Sequence, residues 1–129
     1  MPQSPHRVVV AAFAGVELLD VTGPAEVFSV ATRVAGPDRP GYVVQIATAD
    51  GAPVATSSGV RLMADLTLDA VDGRMDTLLV AGAIDLAHVG HGAALDLERV
   101  RRWAEREHER LSRLESAGRL TSREEEASR

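Results

Sequence analysis

The chain has 129 residues, 45% of them apolar, which suits one domain with a core of its own. It contains no cysteine, which excludes disulfides, thiolate metal sites and a cysteine nucleophile supplied by this chain. Its net charge is −5 and arginine is its only strong base, a balance that argues against a nucleic-acid surface.

Residues 1–6 (MPQSPH) are polar, and the apolar run behind them is too short for a signal sequence, so a cytoplasmic location is expected. No apolar run approaches about 18 residues, so no membrane span is expected. Arg7–Phe13 (RVVVAAF) is β-branched and almost wholly apolar. This is the pattern of a strand buried on both faces, as in a parallel sheet with helices on either side. Gly15 ends it. Thr22-Gly23-Pro24 then predicts a helix start, with Pro24 at the first helical position, where its missing N–H costs nothing. Ala25, Val27, Phe28, Val30 and Ala31 recur at helical spacing to about Val34. Gly36-Pro37-Asp38-Arg39-Pro40-Gly41 reads as a loop.

Tyr42–Thr48 (YVVQIAT) is a second strand, and Asp50-Gly51 turns the chain. Pro53–Thr56 and Val60–Ala64 flank Ser57-Ser58-Gly59 and predict a small hairpin. Leu66, Leu68 and Val71 fall in a short connection of about one helical turn. Asp76–Gly82 (DTLLVAG) is the next buried strand. Strand, helix, strand, hairpin, strand is the order of an α/β fold. Ala83–Gly92 reads as a loop. A helix is predicted from about Leu95 to Ala117, with Leu97, Val100, Ala104, Leu111 and Leu114 on one stripe that Glu107 and His108 interrupt. Gly118 predicts its stop, and Ser122–Arg129 a disordered tail. The organisation is therefore 1–94 as an α/β domain, 95–118 as a charged amphipathic helix and 119–129 as a tail.

Five features invite a chemical reading. Asp20 lies just ahead of Pro24, where a carboxylate can accept from free helix N–H groups and meet the positive end of the dipole. It also follows the carboxyl end of the first strand, where ligands gather in open α/β sheets. Glu26, with apolar neighbours, reads either as a first-turn helix acid worth about 0.3–1 kcal/mol or as a partly buried pocket acid. His88 and His91 in HVGHG are too few for a closed metal site, and Asp85 as a third ligand is conjecture, so no metal is expected. Ser57-Ser58-Gly59 is explained by the hairpin turn and has no histidine near it in sequence. The Arg residues of 96–117 are matched by Glu, so that helix reads as a solvated face, or as one that pairs with a partner helix.

The stretch VELLDVTGPAEVF, with YVVQIATADG, PVATSSGVRLMADLTL and MDTLLVAG after it, resembles the PfpI/ThiJ-like family of the class I glutamine-amidotransferase-like superfamily. The resemblance runs from about Val8 to Val80 and less securely to Trp103. It is nearest to the ligand-sensing domains of AraC-type transcriptional regulators and to the isonitrile hydratases. It implies a flavodoxin-like three-layer sandwich with a mainly parallel sheet, usually dimeric. Catalytic members carry a cysteine on a strand-to-helix elbow, beside an acid that Asp20 matches; Glu26 matches a family glutamate near the same pocket. The sequence departs from that pattern. The family's Pro-Gly-Gly reads Ala81-Gly82-Ala83 here, the cysteine elbow is missing, and no helix-turn-helix units follow. The resemblance therefore implies the front part of such a domain, ending in a charged helix, with a truncated or frameshifted copy as one explanation.

The expected function is a non-catalytic domain from the ligand-sensing part of an AraC-type regulator. Its small-molecule ligand would be held by Asp20, Gly23, Glu26 and Gly82. The alternative is an isonitrile hydratase-like enzyme, with Asp20 as general acid or base, whose thiol this chain does not supply. A fragment with no independent function is a third reading. No cofactor is expected. A second copy of the chain is the expected protein partner, with no nucleic acid and no membrane bound.

Overall fold

The strand read as buried on both faces, β1 (His6–Ala11), is the middle of the molecule: Val8, Val9, Val10 and Ala11 expose no surface. The computed structural model describes residues 3–84 and 91–127, without the side chains of 91–96 and 120–126. After β1 come α1 (Leu18–Ala35), β2 (Tyr42–Thr48), β3 (Val54–Ala55), β4 (Arg61–Leu62), β5 (Leu66–Thr67), a 3-10 turn over Leu68–Ala70, β6 (Thr77–Val80) and α2 (His91–Ala127). The sheet order is β5-β2-β1-β6, with every neighbouring pair parallel. Val8 pairs with Val44 on one side and with Thr77 on the other. The short antiparallel pair β3–β4 stands apart from this sheet.

Alternation along β1 builds the two faces. Val8 and Val10 pack with Ala12, Phe13, Val16 and Val21, and Phe28 of α1 lies against that cluster. Val9 and Ala11 point the other way, into Leu68, Val71, Met75 and the α2 residues Val100 and Trp103. Successive strand side chains alternate between faces, so an unbroken apolar strand needs a cover on each side. α1 supplies one and α2 the other, and the result is the three-layer, flavodoxin-like α/β architecture.

At the amino ends of the strands, Asp76 ties β6 to β1. Its carboxylate accepts from the Arg7 backbone N–H at 2.8 Å and from Arg74 Nε at 2.7 Å, and its own N–H donates to the Arg7 carbonyl at 2.9 Å. The Arg7 N–H, ahead of Arg74, holds this carboxyl below its ordinary value against the opposing effect of burial.

Three expectations are corrected. First, α1 starts at Leu18, and Pro24 lies inside the helix rather than at its first position. An interior proline removes a helix hydrogen bond and crowds the carbonyl four residues back, costing roughly 3 kcal/mol. Tertiary anchors hold the preceding turn against this cost: Val21 is fully buried, and Glu17 and Asp20 both bond to Gly82. Thr22 donates its hydroxyl to the Leu18 carbonyl at 2.9 Å instead of capping a later start. Second, Leu66–Thr67, read as part of a connection, is a parallel edge strand beside Ala47–Thr48. Two residues are too few to show a period.

Third, α2 begins at His91 and runs past Gly118 to Ala127, through most of the segment read as a tail. Gly118 does not take the positive φ of a helix-ending glycine. A single glycine costs a helix only about 1 kcal/mol, and the Arg, Glu, Leu and Ala around it are strong helix formers. Glu98 accepts from Arg101 and then from Arg102, which together bring its carboxyl down to about 2. Arg101 also pairs with Glu105, so one side of α2 is a ladder of exposed ion pairs. No helix among the described residues is long and apolar enough to cross a membrane.

Candidate functional site

Beyond the last rungs of the sheet, the carboxyl ends of β1 and β6 meet the first turn of α1. Ala81 N–H still donates to the Ala11 carbonyl at 3.3 Å, which sets Gly82 directly past the paired strands. Gly82 then bonds twice to the start of α1. Its N–H donates to Asp20 Oδ2 at 3.2 Å, and its carbonyl accepts from the Glu17 N–H at 2.9 Å. The approach is close: a Cβ there would lie 2.5 Å from Asp20 Oδ2, so a larger residue would push the carboxylate aside.

The hairpin closes the site from a third direction. Ser57 donates its hydroxyl to Glu17 Oε1, and its N–H donates to the Val16 carbonyl at 2.9 Å. Gly15 N–H donates to the Ala55 carbonyl at 2.8 Å. Thr56 is buried beneath, with its hydroxyl given to the Val60 carbonyl at 2.7 Å. The tight turn at Ser57-Ser58-Gly59, with Gly59 at φ 85°, thus carries Ser57 to the β1–α1 connection.

The structure therefore brings together Asp20, Gly82, Glu17 and Ser57. Asp20 is exposed, and among the described residues only the Gly82 N–H donates to its carboxylate. Two carboxylates, one hydroxyl and a fixed backbone donor can receive amine, amide or hydroxyl groups of a ligand. The other two residues expected here lie elsewhere. Glu26 is in the helix interior, exposed, with Arg33 Nη2 at 3.4 Å from its Oε1. Gly23 is on the outward side of α1, where an added Cβ would meet nothing within 4 Å.

Glu17 was not anticipated, because starting the helix at Pro24 left it in a loop; as the residue before Leu18 it holds the N-cap position. Asp85 and His88 lie outside the described residues, as does the His91 side chain, and with them the metal reading. Among the described residues no group of three His, Cys, Asp or Glu is placed to hold a metal ion.

The profile of the DJ-1/PfpI family matches residues 6–108. The chain belongs to the DJ-1/PfpI family. It is 49% identical over 82 residues to the uncharacterized protein in the cpoL 5′ region of Streptomyces lividans, a stretch that makes up 64% of this chain and 55% of that protein. Its fold is similar to the crystal structure of a DJ-1 superfamily protein from Agrobacterium tumefaciens, with a TM-score of 0.53 and 27% identity, over 79% of this chain and 50% of that one. An AraC family transcriptional regulator from Pseudomonas putida aligns at a TM-score of 0.48 and 19% identity, over 65% of this chain and 52% of its own. This DJ-1/PfpI chain thus spans about half the length of these relatives.

Proposed function

We propose that this DJ-1/PfpI chain binds a small molecule at Asp20 and performs no covalent chemistry of its own. The role is that of the ligand-sensing part of an AraC-type regulator, which its LLDVTGPAEVF stretch resembles. The observation that carries the reading is the clamp between Asp20 and the Gly82 N–H. It fixes a carboxylate at the carboxyl ends of the strands, in a chain that has no cysteine for that acid to serve. Fragments bearing an amide or amine should shift the amide resonances of Glu17 and Gly82, and Asp20→Ala should abolish the shift. If the purified chain hydrates an isonitrile, and Asp20→Asn loses that activity, the enzyme reading replaces this one.

A second copy of the chain fits the outward side of α1. Leu19, Val27, Val30 and Val34 are 74%, 66%, 41% and 81% exposed and share one stripe of the helix, with Gly23 as a notch within it. An apolar stripe of that kind marks an interface more often than a free surface. Glu26 and Arg33 border it on the same flank. Antiparallel two-fold packing sets like flanks together, so Glu26 of each copy faces Arg33 of the other.

A further inference from the structure

On the other side of the sheet, a cavity of about 220 Å³ opens at the carboxyl ends of β2 and β5. Leu68 and Trp103 are its apolar floor, 2% and 3% exposed. Its rim is Asp69 together with Arg99, Arg102 and Arg106, which α2 presents three and four residues apart, and so on one side of the helix. The site is separate from Asp20: Trp103 packs with Val9 and Ala11, whereas Val21 of α1 packs with Val8 and Val10.

The rim is short of negative charge. Arg102 shares Glu98 with Arg101. Arg106 stands 3.6 Å from Asp69, too far for a good hydrogen bond. Arg99 has no carboxylate partner among the described residues, and no described residue accepts from the Trp103 indole N–H. Three guanidiniums therefore converge on a small hollow in a chain whose net charge is −5. Guanidinium groups match phosphate and carboxylate oxygens in pairs, and also stack on planar groups. An apolar floor beneath such a rim takes the body of a ligand whose head is anionic.

We propose that this cavity binds a small organic oxyanion, a phosphate or a carboxylate, with the head at Arg99, Arg102 and Arg106 and the body over Trp103. Trp103 is the chain's one tryptophan, so its emission reports on this site alone. The test titrates the full chain with inorganic phosphate, with malonate and with chloride at matched ionic strength. Phosphate, malonate or both should change the emission saturably, and chloride should not. Arg99→Gln and Arg106→Gln should each weaken the effective anion about tenfold, and Asp69→Asn should tighten it. A response to phosphate alone would assign phosphate esters, and one to malonate alone carboxylates. The proposal is overturned if emission follows ionic strength whatever the anion, or if the anion response is unchanged in both arginine variants and in Asp69→Asn. Asp20→Ala should leave the response intact, which separates a failure here from a failure at the Asp20 site.

Discussion

Asp76→Ala removes the tie between the first and last strands of the sheet. The lost contacts are the 2.8 Å bond from the Arg7 N–H and the 2.7 Å bond from Arg74 Nε. The first matters more. The Asp76 side chain is only 15% exposed, and without it the Arg7 N–H keeps no acceptor in a partly buried position. A hydrogen bond to a charged partner contributes about 1.5–3 kcal/mol, while the largely exposed Arg74 pair adds roughly 0–1 kcal/mol. About 2 kcal/mol in total corresponds to a drop on the order of 8 °C in Tm for a domain of this size.

The pH dependence has a definite sign. The folded carboxyl titrates below its ordinary value of 3.8, so its contribution is complete above that value and disappears as pH falls through the folded one. Thermal melts followed by circular dichroism should show the full gap between parent and variant at neutral pH, narrowing as the pH falls below 3.8. Asp76→Asn, which keeps an acceptor oxygen, should fall between the two. A variant that melts within about 1 °C of the parent at neutral pH, or a gap that persists unchanged in acid, would refute the reasoning.

Gly82→Ala should displace the Asp20 carboxylate and weaken fragment binding there several-fold, at a stability cost on the order of 1 kcal/mol because a side chain can yield; binding as tight as the parent's would show that the clamp is irrelevant to the ligand. Val27→Glu combined with Val30→Glu should convert an associated protein to a monomer by sedimentation and remove the concentration dependence of its melt, since both side chains are exposed in the single chain. A parent that is monomeric at its highest soluble concentration would remove the α1 interface. Gly118→Ala should raise the helical signal and slow amide exchange in the outer part of α2 by about 1 kcal/mol, without moving the main melt. A clear rise in Tm would mean that this part of α2 is packed on the body.

The three longer strands were legible because burial on both faces writes a continuous apolar run, as in RVVVAAF and DTLLVAG. β2 was located residue for residue as Tyr42–Thr48. The start of α1 was not, since Pro24 is the strongest local signal and the opposing forces are tertiary. Val21 in the core and Gly82, 62 residues beyond Asp20 and just past β6, decide where the helix begins. The site followed suit. Asp20 was visible because it closes an apolar run at a turn, and Gly82 through the resemblance, where Ala81-Gly82-Ala83 stands in place of the family's Pro-Gly-Gly. Glu17 gave no signal of its own, since its roles depend on the hairpin serine and on the β6 turn. Glu26 misled because counting from Pro24 placed it in the first turn, whereas the helix begins six residues, about 1.7 turns, earlier.

The sheet order also bears on synthesis. β1 precedes both of its neighbours in the chain yet sits between them, so its β6 partner does not exist until residue 80 has been added. Leu68, Val71 and Met75 reach its Val9 and Ala11 face before β6 does, and Val100 and Trp103 complete that cover later still. On a ribosome, this fully buried strand therefore waits for its complete cover until residue 103 has been added. Parallel pairing of this kind cannot be completed locally as the chain emerges. Until α2 has closed over it, one face of RVVVAAF lacks part of its apolar cover.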